Sequence, residues 1–164
     1  MYVNGRYVPE RRHNVLVRSP AGGRVLSALQ LPFFTVLPPS GFGVITTTGR
    51  RTGKTRRKCV RVIRDGNKAY IVSIPGIQAA WLKNARAQPH VRLRIRGGRF
   101  HGVARELRPA ETQHAMAAYC ETVNPFDYAE CAVHRRGRPT RSKIKELHRN
   151  WFEGGIPMII ELPE

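Results

Sequence analysis

Acidic residues are scarce in this chain of 164 residues, with 11 Asp and Glu against 29 Lys and Arg and a formal charge of +18. Such an imbalance calls for a polyanionic partner: nucleic acid, an anionic membrane face or a multiply charged cofactor. Cysteines are also few and odd in number, Cys59, Cys120 and Cys131, and no cleavable apolar leader precedes them. A disulfide framework is therefore not expected, and the chain reads as cytoplasmic. Cys120 and Cys131 form no Cys-x-x-Cys unit with His114 or His134 near by, so the recognised zinc spacings are missing and no metal is expected. Long hydrophobic runs are missing too. Val25 to Leu37 is broken by Gln30 and Pro32 and falls short of the roughly 20 residues that a spanning helix needs. Aromatics are sparse among the cations: from Lys58 to Arg105 the strands offer little beyond Tyr70 and Phe100, whereas a barrel that binds single strands stacks bases on several. Nucleic acid is thus not expected, although charge alone would favour it.

What is present suits one domain over 1–164 with its own core. Residues 1–20 form a basic arm with Arg6, Arg11, Arg12 and Arg18 and little periodicity. An apolar helix over 21–37 follows Ser19-Pro20, ends before Pro38-Pro39 and is expected to cover one mouth of the fold. Short β-rich runs then dominate. Phe42 to Thr48 is one; Lys58 to Arg64 and Lys68 to Ile74 flank Asp65-Gly66, a hairpin signal. His90 to Arg96 alternates Val91, Leu93 and Ile95 with Arg92, Arg94 and Arg96, and Gly97-Gly98 turns the chain into Arg99 to Leu107. Helices are predicted over Gln78 to Gln88, Pro109 to Tyr119 and Thr140 to Trp151, the last with Ile144, Leu147 and Trp151 on one stripe, before a final strand over Ile156 to Leu162. Adjacent hairpins favour a closed antiparallel barrel, because closure removes exposed edges.

The densest charge lies in Thr46 to Gly66, where eight cations fall between Arg50 and Arg64 with no acid before Asp65. Their mutual repulsion is relieved by an anion, and Gly49 and Gly53 let backbone N–H groups approach one. Gly53-Lys54-Thr55 is not part of a nucleotide-triphosphate P-loop: that motif places four residues between its glycines and opens a helix, whereas only three separate Gly49 from Gly53 and a β-rich run follows.

The phrase GVITTTGRRTGKTRRKCVRVIRDGNKAYIVSIPG, followed by AWLKNARAQPHVRLRIRGGRF and a terminal GGIPMIIELPE, resembles the deazaflavin-dependent nitroreductase family of actinobacteria across residues 42–162. The resemblance implies the split β-barrel of flavin reductases, reduced coenzyme F420 as cofactor, and quinones or nitroaromatic compounds as acceptors. It places Arg50, Arg51, Thr52, Gly53, Lys54 and Arg56 around the phosphate and oligoglutamate tail, with Lys58 and Cys59 beside the deazaflavin ring. Ser73 and Gly76 fall in the loop before Trp81, and Trp81 and Asn84, one turn apart, fall near the cofactor. Many relatives carry proline where this chain has Cys59, and the loop from Ser73 to Trp81 is shorter than in the best-known nitroreductase. A thiolate at Cys59, stabilised by neighbouring cations, and a plain wall residue are both open readings. Asn124-Pro125-Phe126-Asp127-Tyr128 resembles the segment that supplies an active-site tyrosine, which makes Tyr128 the candidate to orient the acceptor and deliver a proton.

The expectation is therefore a mainly β (α+β) split antiparallel barrel with flanking helices, its cofactor core at 42–162, acting as an F420H2-dependent oxidoreductase on a quinone, nitroaromatic or activated-alkene acceptor. It would be a monomer or homodimer, cytoplasmic or peripheral at an anionic inner membrane face. The alternatives are a cofactor or lipid carrier without turnover, and a nucleic-acid-binding protein.

Overall fold

Asp65 and Lys68 face each other across a tight turn whose Gly66 adopts φ +59°, a left-handed conformation that glycine takes at little cost. This hairpin joins two neighbouring strands of a barrel seen in the computed structural model, which describes residues 2–3, 6–7 and 20–164. Along the chain, Tyr2–Val3 (β1) and Arg6–Tyr7 (β2) form a short antiparallel ladder, followed by helix Pro20–Val36 (α1). The strands Phe42–Thr48 (β3), Thr55–Asp65 (β4) and Lys68–Ser73 (β5) lead through a 3₁₀ turn at Gly76–Gln78 into helix Ala80–Ala87 (α2). His90–Ile95 (β6) and Gly98–Glu106 (β7) form the next hairpin, and helices Thr112–Glu121 (α3), Pro125–His134 (α4) and Arg141–Gly154 (α5) precede the last strand, Ile156–Glu161 (β8).

Six strands close in the order β3-β4-β5-β8-β7-β6, every pairing antiparallel. Strand alternation sends Ile45, Val60, Val62, Ile71, Leu93, Met158 and Ile160 into one buried interior cluster. Burying each such side chain contributes about 1.5–3 kcal/mol. Trp81, Leu82 and Ala85 of α2 join the same cluster and plug one mouth of the barrel.

The opposite parity carries the helices. Phe34 of α1 packs on Phe42 and Val44 of β3 and on Phe126, so α1 lies against the outer face of β3 and β4 instead of covering a mouth as the sequence suggested. The reason is parity: Phe42 and Val44 alternate with inward Ile45 and offer an apolar patch outside the barrel. The expected basic arm over 1–20 lies outside the described residues apart from the β1–β2 ladder and Pro20. On the far side, Ile63, Tyr70 and Ile159 receive Ala115, Tyr119 and Phe152 from α3 and α5. Thr140 caps α5 by accepting from the Lys143 N–H, and Ile144, Leu147 and Trp151 form its buried stripe as expected.

A buried ion pair ties barrel to helices. Arg61 of β4, 5% exposed, donates from Nε to Asp127 Oδ1 at 3.2 Å and from its terminal nitrogens to the carbonyls of Tyr119 and Thr122, with its guanidinium 4.4 Å from the Tyr119 ring centre. Asp127 Oδ1 also lies 3.4 Å from His148 Nε2, and its Oδ2 accepts from the Asn124 N–H at 2.6 Å, closing the N-terminus of α4. Burial alone would raise the Asp127 carboxyl, but the His148 hydrogen bond, the Arg61 charge and the Asn124 N–H together hold it below the usual range. Burial pushes the His148 imidazole down, so that it sits neutral at physiological pH.

Candidate functional site

The β3–β4 connection crosses itself tightly. Gly49 donates to the Lys54 carbonyl and accepts from Gly53 N–H, both at 2.8 Å, while Gly53 turns at φ +66°. A Cβ at Gly49 would stand 3.0 Å from that Lys54 oxygen, a crowded contact that the backbone would meet only by shifting, so glycine suits the crossing. The loop is pinned to α2 by Asn84, whose Oδ1 accepts from the Arg50 N–H at 3.2 Å and Nη1 at 3.3 Å and whose amide donates to Thr47 Oγ1. Asn84 is buried because the inward turn of α2 that seats Trp81 also seats the residue one turn later.

Loop, β4 and α2 enclose a cavity of about 630 Å³. Five cations line it, Arg50, Arg51, Arg56, Arg57 and Lys58, and no acid does. Among the described residues, the side chains of Arg51, Arg56 and Arg57 have no hydrogen-bond or ion-pair partner. The opposite wall is apolar: Pro75, Ala79, Ala80 and Trp81. Ala79 and Ala80 begin α2, and no side chain caps that end, so its first N–H groups add positive potential at the wall. One flat apolar wall facing a cationic rim suits an aromatic ring that carries an anionic tail. An elongated ligand of that kind fits the residues present.

Of the residues the sequence pointed to, Arg50, Arg51, Thr52, Arg56, Lys58, Trp81 and Asn84 come together around this cavity. Gly53 and Lys54 shape the loop without lining it, and Ser73 is fully buried, its hydroxyl donating to the Gly76 carbonyl and so bracing the turn before α2. Gly76 stands at φ +65° in that turn. Cys59 points away from the cavity into the cluster of Phe34, Phe42 and Phe126, where burial pushes its thiol up to about 11 despite neighbouring Lys58. A thiolate there is disfavoured, and Cys59 packs among apolar rings instead of walling the cavity. Tyr128 is 40% exposed on α4 and does not line the cavity. Missed from sequence were Arg57, Pro75, Ala79 and Ala80; the helix start hidden in Ala79-Ala80-Trp81 was the one signal for the last pair. No group of His, Cys, Asp or Glu able to hold a metal occurs among the described residues.

A closed six-stranded antiparallel barrel with flanking helices is the split-barrel fold of flavin-reductase-like proteins. Residues 11–136 match the family model of the F420H(2)-dependent quinone reductases, and the chain belongs to that family. Coenzyme F420 is accordingly its cofactor. A solved structure described as a domain-swapped dimer is 22% identical with a TM-score of 0.52, covering 85% of this chain and 92% of that one. The F420-H2 dependent reductase FDR-A is 21% identical with a TM-score of 0.50, covering 74% and 95%. A putative 5-nitroimidazole antibiotic resistance protein from Bacteroides thetaiotaomicron is 8% identical with a TM-score of 0.51, covering 82% and 80%. No curated protein matches the chain. At these identities the solved structures support the fold alone.

Proposed function

We propose that this protein passes the hydride of reduced coenzyme F420 to a quinone, in the cytoplasm and against the inner membrane face where such an acceptor dissolves. The observation that carries the reading is the cavity itself, where Arg51, Arg56 and Arg57 stand without partners opposite the Trp81 wall. When bound, the coenzyme supplies the hydride. The protein's own residues bind and orient: Arg50, Arg51, Thr52 and Arg56 hold the phosphate, and Arg57 and Lys54 at the loop's edge meet the carboxylates of the tail. Gly53 keeps the loop turned. Lys58 and Trp81 border the ring, while Asn84, Ser73 and Gly76 fix the elements that carry them. Each charged hydrogen bond formed away from water contributes about 1.5–3 kcal/mol. Nitroaromatic and activated-alkene acceptors would enter the same open cavity, where Tyr128, standing outside it on α4, is not placed to donate. The protein is taken as a monomer or homodimer in this reading.

Fluorescence titration with reduced and oxidised coenzyme, followed by stopped-flow absorbance after adding a menaquinone analogue, tests it. Binding that tightens with glutamate-tail length, and quinone-dependent oxidation of the bound coenzyme, are expected. Tight binding with no oxidation by any acceptor would replace the reductase with a carrier. Tyr128→Phe should leave the oxidation rate unchanged, and a slowed rate would bring that tyrosine to the acceptor.

A further inference from the structure

On the outer face of the barrel, the pairing register sets Arg57, Thr46, Arg92 and His101 side by side across β4, β3, β6 and β7. In the adjoining row Arg94 stands opposite Arg99. Neighbouring strands lie about 4.8 Å apart, so Arg57 and Arg92 rise about 10 Å from each other with Thr46 between them, and Arg99 lies on the diagonal from Arg92, within reach of a long side chain. These side chains line a groove of about 350 Å³, bounded by Thr35 of α1 and containing no acid. Arg94 donates to the carbonyls of Thr35, Val36, Ile95 and Gly98, which pins the end of α1 to the sheet. Those bonds satisfy its N–H groups but leave its charge unbalanced, because a carbonyl carries no net charge. Arg57, Arg92 and Arg99 have no hydrogen-bond or ion-pair partner among the described residues. The acid in the adjoining hollow, Glu161, is held by Arg105 at 2.8 Å. Four guanidinium charges thus meet around one groove and repel one another until an anion enters between them.

The arrangement selects the kind of anion. A carboxylate is planar and pairs side-on with one guanidinium, whereas this groove presents unpartnered guanidinium groups from three strands, β4, β6 and β7, with the Thr46 hydroxyl and the His101 imidazole between them. A phosphoryl group, whose oxygens point several ways, can accept from several of these donors at once. Size and lining exclude a nucleic acid. The groove lies at the lower end of the roughly 300–1,000 Å³ of small-molecule sites, and it offers no row of aromatics for bases to stack on.

We propose that this groove is a second anion site, outside the coenzyme cavity, that takes a soluble small molecule bearing two or more phosphoryl charges. The two sites adjoin, because Arg57 lines both. An anion in the groove draws that guanidinium away from the tail of the coenzyme and repels the tail's carboxylates. The two ligands therefore oppose each other, each weakening the other by the same factor. A phosphorylated metabolite in the groove lowers the occupancy of the coenzyme without entering the place where hydride moves. The site itself rests on the strands alone, and only this coupling rests on the coenzyme reading.

The test is isothermal titration calorimetry of the full chain with sodium tripolyphosphate, once with the cavity filled by excess oxidised coenzyme and once without coenzyme. One equivalent is expected to bind while the cavity is filled. Arg92→Gln with Arg99→Gln should weaken that binding roughly 20-fold, about fivefold for each exposed charge contact. The same variant should keep the wild-type coenzyme Kd in the absence of tripolyphosphate, which certifies its fold and its cavity. Arg138→Gln with Arg141→Gln, which removes as much charge from an exposed stretch elsewhere, should change neither. In the wild type, tripolyphosphate should raise the coenzyme Kd about fivefold and then level off. The proposal is overturned if the filled protein binds no tripolyphosphate, or if both double variants lose it equally. A coenzyme Kd that climbs without limit also overturns it, since both anions would then compete for one cavity. So does an Arg92 and Arg99 variant that weakens long-tailed coenzyme while sparing a form without glutamates, since the groove would then hold the tail. If the coenzyme itself fails to bind, the reductase reading falls, and the coenzyme-free titration of the two double variants still decides the groove.

Discussion

Replacing Asp127 with alanine strips Arg61 of its one carboxylate among the described residues while leaving the guanidinium buried. Arg61 Nε loses its partner at 3.2 Å, and only the Tyr119 and Thr122 carbonyls and the Tyr119 ring remain. The same change frees the Asn124 N–H at the start of α4 and unpairs His148 Nε2. Breaking a buried pair from one side costs about 3–5 kcal/mol, a large part of the roughly 5–15 kcal/mol that holds a domain together. For a chain of this size that corresponds to a melting temperature lower by roughly 6–20 °C. Urea denaturation followed by circular dichroism measures it, with the slope checked for two-state behaviour. The double variant Arg61→Met with Asp127→Leu should recover most of the loss, because neither charge is then left alone. The wild type should also weaken in acid. Asp127 has a folded value below its unfolded one, so its contribution is full above the ordinary carboxylate range and is lost as pH falls through the folded value. His148, also depressed, adds a loss that begins as pH drops below its ordinary value near 6.5. An Asp127→Ala loss below about 1 kcal/mol, or a double variant as unstable as the sum of its singles, would refute the reasoning.

Arg51→Ala and Arg56→Ala should each weaken coenzyme binding by about 1.5–3 kcal/mol in titration, while Arg141→Ala, on the exposed start of α5, should leave it unchanged. Asn84→Ala releases the loop from α2 and should raise the coenzyme Kd about tenfold while the melting temperature moves little, since most of the barrel is untouched. Cys59 should react slowly with iodoacetamide at neutral pH and faster only toward alkaline pH, as its thiol lies near 11, and Cys59→Ser should keep turnover.

Strands were the most legible part of the chain, because alternation and turn glycines are local. Phe42–Thr48 falls where its β-branched run predicts, and the Val91, Leu93, Ile95 alternation gives β6 its inward face directly. β4 begins at Thr55, ahead of its apolar run, because β3 extends a ladder to Thr48 that residues of any polarity can complete. Helix α4 went unread: Phe126, Ala129, Cys131 and Val133 make no single stripe, although Asn124-Pro125-x-Asp127 carries a helix-start pattern. Arg61 was counted with the loop cations because its burial depends on Asp127, 66 positions later, and a charge run does not reveal which member folds inward. The cationic loop and the Trp81–Asn84 turn were visible as a site. The apolar wall at Pro75 and Ala79 was not, since small residues acquire a role only through what stands opposite them.

The two halves of β4 are held differently. Thr55 to Arg61 pair with β3 and Val62 to Asp65 with β5, Val62 alone also donating back to the Gly41 carbonyl. The cavity's cations Arg56, Arg57 and Lys58 all belong to the half bonded to β3. The strand thus changes partners at Val62, and the stretch that carries the cations depends for its ladder on β3 alone. An entering coenzyme meets a wall whose backbone is held along one edge.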